Sequence, residues 1–215
     1  MIARMATVPV ASASLLLALG AAAPISAPQS AASPPATRDS SGVRPATPND
    51  LELRPGLMQL VTDEPTGGRY WVFSYTVTNR TGKPQRFSPR FDILMGDGTI
   101  LEGGRGVSVE VASRLHKACA SPQALDQFQI MGDVLDGEAN ARDGFVVWQA
   151  KGDAKQFTLF VSGTSAAFDQ VQGPDGKPKI VRRTWCREFS VPGVPDPRVS
   201  TEARFSPVQD HWVMR

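Results

Sequence analysis

The sequence predicts an all-β fold over residues 50–215, an antiparallel β-sandwich with one short helical insertion. Segments that alternate apolar and polar side chains recur at short intervals, with Gly, Asn and Asp between them. This pattern is typical of β-sandwiches. Only one segment has the apolar spacing of a helix, which argues against a fold built from alternating strands and helices.

The clearest strand covers residues 70–79. Its apolar positions alternate with smaller or polar ones, and it is rich in aromatic and β-branched residues. Period two with these residue types predicts a half-buried strand. The segment Asn79–Gly82 then predicts a turn, because Gly82 adopts positive φ easily, and the chain returns through 85–87.

The next two strands form a hairpin. Residues 90–95 and 99–101 read as short strands, and Gly96-Asp97-Gly98 supplies a tight turn between them. Further strands are predicted at 144–149, 156–162 and 179–191. The last alternates an apolar and a polar side, as expected of an antiparallel sheet with one wet face.

One helix is predicted over Val107–Ala120. Its apolar residues recur at helical spacing, and Glu110 and Arg114 form an i, i+4 pair. The stripe consists of Val107, Val111, Leu115, Ala118 and Cys119. We expect this helix to cross one end of the sandwich.

The four tryptophans divide into two groups. Trp71, Trp148 and Trp185 lie in predicted strands whose alternation directs them toward the core. Trp212 lies in a Pro-rich C-terminal tail, 193–215. This tail either packs back as a final edge strand or is an exposed docking segment.

The chain before residue 50 has a different character. Residues 1–23 contain Arg4, then an apolar run, and no acidic residue, which is typical of a secretory signal peptide. The apolar run is too short for a confident membrane span. Residues 24–49, rich in Pro, Ala and Ser, predict a disordered spacer. We therefore expect export to the periplasm or cell surface, with no membrane span in the mature chain.

Charge excludes one class of partner. The chain carries 23 Lys and Arg against 21 Asp and Glu. Three of the basic and one of the acidic residues precede position 50, so the predicted domain is formally neutral. A neutral body has no field that attracts phosphate backbones, and no nucleic acid partner is expected.

Two motifs carry a resemblance. The segment Tyr70–Gly82 resembles a strand-turn signature, aromatic-x-V-x-x-T-V-x-N-x-(T/S)-G. Leu135-Asp136-Gly137-Glu138 followed by Gly144–Trp148 resembles the paired segment L-x-G-E … G-x-V-x-(F/W). Both belong to the telokin-like immunoglobulin-fold domains of bacterial exported proteins. The resemblance covers about residues 50–192. It implies an immunoglobulin-like sandwich and an extracytoplasmic role, and it brings no catalytic residues.

Cys119 and Cys186 are the candidate disulfide. An even count in an oxidising compartment permits one bridge, provided that the helix and the last strand approach closely enough. The alternative is two buried thiols. Catalysis by Cys119 with His116 is a weaker alternative, since no supporting third group is specified.

A calcium site is a weak candidate. Five oxygen-bearing side chains fall within 11 residues, and three of them have the 1, 3, 5 spacing of a calcium loop. The candidates are Asp133, Asp136, Glu138, Asn140 and Asp143. Ala141 and Val147 occupy the places where an EF-hand requires Gly and Glu, so a solvated polar loop is the favoured interpretation. Zinc is less favoured still.

The function predicted from these observations is non-enzymatic binding or scaffolding. We find no nucleophile elbow, no phosphate-binding Gly-rich motif and no H-E-x-x-H, and nothing in the sequence indicates a cofactor. The expected partner is a protein or glycan at the cell envelope. The alternatives are an accessory subunit of an envelope assembly and, less favoured, an enzyme or a metal-dependent module.

Overall fold

The computed structural model describes residues 47, 49–119, 121–151, 156–190, 202–205 and 207–215. The predicted signal peptide lies outside these residues, as does the spacer apart from Thr47 and Asn49. The strands are β1 (Glu52–Asp63), β2 (Gly68–Thr78), β3 (Gln85–Phe87), β4 (Arg90–Met95), β5 (Ile100–Glu102), β6 (Gly132–Val134), β7 (Arg142–Gln149), β8 (Gln156–Ser162), β9 (Phe168–Gln172), β10 (Pro178–Ser190), β11 (Glu202–Phe205) and β12 (Pro207–Met214). The helix α1 (Val109–Leu115) continues into a 3₁₀ turn, His116–Ala118.

The described strands form two main antiparallel sheets. One has the order β11-β1-β2-β7. The other has the order β12-β10-β8-β4-β5, and β9 pairs with β10 beside this path. If β11 and β12 are left out, the order β1-β2-β7 corresponds to strands A-B-E of an immunoglobulin sandwich. The order β10-β8-β4-β5 corresponds to strands G-F-C-C′. The predicted all-β sandwich with one short helix is confirmed.

The main core lies between the two sheets. Trp71, Trp148 and Trp185 are all buried in it, so the core position predicted for these three residues is confirmed. The alternation of β2 explains the packing, because its odd-numbered side chains enter this core while Tyr70 and Val72 point to the other side.

The helix covers the outer side of the four-stranded sheet, and the expectation that it crosses one end of the sandwich is wrong, because its apolar residues pack on outward-facing side chains of β2 and β7. Val111 and Leu115 pack there against a second apolar cluster that includes Val72 and Phe145. The predicted apolar stripe is confirmed. Arg114, however, does not form a hydrogen bond with Glu110. The guanidinium of Arg114 donates hydrogen bonds of 2.7 and 2.8 Å to the carboxylate of Asp63, at the end of β1.

Strand β1 was missed by the sequence analysis. Its Pro55-Gly56 pair resembles a turn, but the strand passes through it with a register shift between Pro55 and Met58. The register shift leaves Gly56 and Leu57 outside the ladder, whereas Pro55 still lies opposite Tyr75, and the N–H of Leu57 donates to Ser74 Oγ instead. A Cβ on Gly56 would lie 2.8 Å from the Ser74 carbonyl oxygen.

The end of the chain forms strands in both sheets. β11 pairs with β1, and β12 pairs with β10, where Trp212 lies opposite Trp185. Trp212 also packs against the main core. Of the two alternatives for this tail, the structure therefore has the edge strand.

Candidate functional site

The two outer faces of the sandwich differ in what lies on them. Helix α1 covers the outer face of the four-stranded sheet. No described helix covers the outer face of the six-stranded sheet, whose side chains include Asp92, Phe160 and Cys186 in one cross-strand row. Among the described residues, this second face is therefore not covered by a helix, although Asp92 and Cys186 on it are themselves buried.

A recess of about 400 Å³ lies on this face, and we call it the arginine recess. It is lined by Arg90, Asp92, Phe160, Ser162, Arg182, Thr184 and Arg215. Three neighbouring strands and the residue that follows β12 supply these side chains, because alternate positions on antiparallel strands point to the same face. The charged side chains of the lining are three guanidinium groups and one carboxylate.

Asp92 organises two of these arginines. Its side chain is only 7% exposed. Arg90 Nε lies 3.1 Å from both carboxylate oxygens, and Arg215 Nη1 lies 3.4 Å from Oδ2. The Arg215 guanidinium also stacks over the Phe160 ring, 4.4 Å from its centroid. Two of the cationic groups that line the recess thereby share Asp92 as a partner.

Arg182 is different. It is exposed, and among the described residues no carboxylate lies within ion-pair distance of its guanidinium. Its backbone is fixed, because Arg182 N donates to Arg215 O at 2.7 Å and Arg215 N donates back at 3.0 Å. The recess therefore contains one arginine whose backbone is held while its guanidinium has capacity for a ligand.

A hairpin continues this face beyond the body of the sheet. Strand β9, which the sequence analysis missed, pairs with Pro178–Arg182 at the start of β10. Phe168 lies directly opposite Arg182, so the two side chains share a face with Ile180. Phe168 is 66% exposed and Ile180 is 64% exposed. Large apolar side chains thus lie beside the arginine recess.

The far end of the same face holds a second depression of about 440 Å³. It is lined by side chains near the β4–β5 turn, including Leu94 and Met95, and by Glu188 and Val208. It carries no cluster of like charges, and it has no exposed aromatic ring. The hairpin end is the better candidate because apolar anchors and oriented charges occur there together.

The two cysteines do not meet. Cys119 packs beside the apolar cluster under α1, whereas Cys186 lies on the outer side of the other sheet, so both sheets separate them. Both are free. Of the two alternatives predicted for this pair, the structure has two thiols. Burial raises the pKa of Cys119 to about 12 and that of Cys186 to about 11.

The neighbours of Cys186 were not predicted from the sequence. His211 lies opposite it on β12, and His211 Nδ1 is 4.0 Å from a carboxylate oxygen of Glu188. The Cys186 thiol beside His211 resembles a nucleophile beside a general base. The Cys186 side chain is fully buried, however, and its raised pKa disfavours the thiolate that nucleophilic attack requires. His116, the other histidine, stacks on Phe145.

Each of the five calcium candidates contacts another group of the protein. Asp133 lies 3.6 Å from Arg86, and Asp143 accepts a 2.7 Å hydrogen bond from Thr76. Asp136 accepts from Gly82 N, Glu138 pairs with Arg80 and Arg54, and Asn140 donates to Asp136 O. Within the described ranges, no three His, Cys, Asp or Glu residues converge as metal ligands.

The two motifs behind the family resemblance contact each other. Asn79 is fully buried, donates hydrogen bonds of 2.8 and 2.7 Å to the carbonyls of Lys83 and Val134, and accepts from Thr81. Gly82 N donates to Asp136 Oδ1 at 2.7 Å, and Gly137 N donates to Asn79 O. These residues join the turn after β2 to the loop before β7, so their role in this structure is to hold the fold.

No protein-family model, curated protein or solved structure matches this chain. The helical segments within the described ranges lack the length and apolar character that crossing a membrane requires. The function proposed below therefore rests on the geometry of the six-stranded sheet.

Proposed function

We propose that this chain is an exported, non-enzymatic module that binds a partner protein through the hairpin end of the six-stranded sheet. The observation that carries this proposal is the position of Phe168 and Ile180. Both are more than half exposed, on a hairpin that extends past the sheet body, and both share a face with Arg182. Apolar anchors beside arginines are the composition of protein-binding hot spots.

A protein partner accounts for this surface better than a glycan does. Sugar rings are commonly recognised by exposed aromatic platforms, and three of the four tryptophans are buried in the core while Trp212 packs against it. The exposed groups are instead a phenylalanine, an isoleucine and arginines. These side chains favour contact with an apolar and polar protein surface.

Export and family membership are part of the same proposal. The charge and apolar pattern of residues 1–23 supports export. The immunoglobulin-type strand order and the contact between the Asn79 turn and the Asp136 loop support a telokin-like domain. The raised pKa values of both thiols support a role that is not enzymatic.

The proposal is tested by crosslinking and pulldown from intact cells that express the full chain. The test variant carries Phe168→Ser and Ile180→Ser, which remove both apolar anchors from the proposed face. The matched control is Val171→Ser, because Val171 is an exposed apolar residue of the same hairpin that points to its other face. We expect a defined envelope protein to co-purify with the wild-type chain and the control, and to be lost with the double variant.

Equal capture by all three chains would place the interaction on another surface and contradict the proposal. A partner recovered in fixed stoichiometry would further identify the chain as a subunit of an envelope assembly. Circular dichroism of each purified variant checks that the fold is retained, which we expect because the substituted side chains are exposed.

A further inference from the structure

We propose that the arginine recess binds a carboxylate of an acidic, extended segment of the partner protein, while an apolar side chain of that segment packs on Phe168 and Ile180. This inference rests on the proposed function and specifies the chemistry of its ligand. It is carried by the charge of the recess, by the contacts that hold Arg90 and Arg215 on Asp92, and by the spacing of Arg182 from the apolar anchors.

The charge of the recess favours an anion. Its charged lining side chains are three arginines and one aspartate, and this Asp92 is shared between Arg90 and Arg215. Arg90 also lies 3.6 Å from Glu102, so its charge is already shared between two carboxylates. Arg182 retains its full donor capacity toward a ligand. A guanidinium group offers a planar pair of donors that matches a carboxylate.

The recess is organised in advance of binding. Asp92 and the Phe160 ring hold Arg215, and the paired backbone hydrogen bonds between Arg182 and Arg215 keep these two residues side by side. Since the Arg215 guanidinium is already ordered, a ligand loses less free energy to the ordering of this side chain when it binds. The hydroxyl groups of Ser162 and Thr184 make the rest of the lining polar.

The spacing specifies a ligand pattern. Ile180 and Arg182 are two residues apart on one face of β10, a separation of about 7 Å along a strand. An extended ligand that lies along this face presents alternate side chains to it. An apolar residue and an acidic residue separated by one position would therefore meet Ile180 or Phe168 and the recess together.

The test is an NMR titration of the full chain labelled with ¹⁵N, observing backbone amides and arginine Nε–H groups. The probe is a short synthetic peptide with the pattern Phe-x-Glu. The comparison peptide is identical except for glutamine in place of glutamate. We expect the glutamate peptide to shift the resonances of Arg182 and Arg215, and we expect the glutamine peptide to bind roughly tenfold more weakly because it lacks the charge-assisted pair.

Two variants make the result specific. Arg182→Gln removes the guanidinium that the described carboxylates leave unengaged, and the glutamate peptide should then bind roughly tenfold more weakly. Arg86→Gln is the matched control, because Arg86 is an exposed arginine on β3, outside the recess. It removes the same charge, and it should leave peptide binding unchanged. Both sites are on the surface, and the amide spectrum reports directly whether each variant is folded.

Three results would overturn the inference. The glutamate peptide could leave the recess resonances unmoved, the two peptides could bind equally, or both variants could weaken binding to the same extent. Competition by an oligomer of galacturonic acid, without binding of the peptide, would assign the recess to a glycan and would also overturn it. None of these results bears on the pulldown with the Phe168→Ser and Ile180→Ser chain. That pulldown tests the proposed function separately from the chemistry of the recess.

Discussion

Arg187 of β10 and Asp210 of β12 form a bidentate ion pair, with Nε and Nη2 each 2.7 Å from a carboxylate oxygen. Arg187 is only 8% exposed, and its guanidinium also lies 5.1 Å from the centre of the Trp185 ring. Both residues are on the core-facing side of their strands, in register with each other. This pair fastens the C-terminal strand to the sheet that carries the proposed binding face.

Replacing Asp210 should therefore loosen β12. We expect Asp210→Ala to lower the free energy of unfolding by roughly 1–3 kcal/mol, because a nearly buried guanidinium loses its partner. Urea unfolding followed by tryptophan fluorescence measures this change. Asp175→Ala, at the exposed tip of the β9–β10 hairpin, is the control and should stay within about 0.5 kcal/mol of wild type. Equal effects of the two substitutions would mean that β12 is not held by this pair.

The contact between Arg114 and Asp63 predicts a pH dependence. Hydrogen bonds from Arg114, and then from Thr66, lower the pKa of Asp63 to about 2 from its usual 3.8. At pH values between the folded and the unfolded pKa of Asp63, the unfolded chain binds more protons than the folded chain. The stabilisation that ionised Asp63 provides is therefore complete above the unfolded pKa of 3.8 and is lost as the pH falls toward 2. The urea midpoint of Asp63→Asn should lie below that of wild type at neutral pH.

The difference between Asp63→Asn and wild type should shrink as the pH is lowered through this window. Circular dichroism at a series of pH values in urea gives the two midpoints. A difference that stays constant down to acid pH would show that the carboxylate charge does not stabilise the fold.

The cysteines should remain thiols in the folded protein. Because burial raises the pKa of both, a thiol-labelling reagent should react slowly with the native chain at neutral pH. Both should react at once in urea without any reductant. Mass spectrometry counts the labels, and a chain purified from the oxidising compartment that takes up none in urea would instead contain a disulfide.

The hydrogen bonds of the Asn79 side-chain amide predict that its removal strongly destabilises the fold. All the hydrogen-bonding capacity of this buried side chain is used, toward Thr81, Lys83 and Val134. We expect Asn79→Ala to cost about 2–4 kcal/mol of unfolding free energy, because the buried carbonyl of Val134 loses this donor and the N–H of Thr81 loses this acceptor. Asn140→Ala, an exposed amide with one hydrogen bond, should cost less than about 1 kcal/mol. Thermal and urea unfolding of both variants compare them directly.

The sequence predicted the parts of the fold in which local pattern and tertiary structure agree. Strands β3, β4 and β8 begin and end where alternation predicts. β5 is shifted by one residue, and α1 is shorter than its apolar stripe. β1 was missed because Pro55-Gly56 resembles a turn, and only the bulge opposite Ser74 allows the strand to continue through it. β9 was missed because its residues are all exposed and so carry no buried alternation.

The candidate site was not predictable in the same way. Arg90, Arg182 and Arg215 are widely separated in the sequence, and no spacing rule connects them. Only the cross-strand register brings them to one recess. The residues that the sequence did single out, including the calcium candidates, lie elsewhere and are held by neighbouring protein groups.

The measurement that tests the central proposal most directly is site-specific photocrosslinking in living cells. A photoreactive amino acid is placed at position 180 in one chain and at position 179 in another, because these adjacent residues point to opposite faces of the same hairpin. The proposal predicts a discrete crosslinked product with one protein from position 180 and little from position 179. Equal crosslinking from both positions, or a product only from position 179, would contradict the assignment of the binding face.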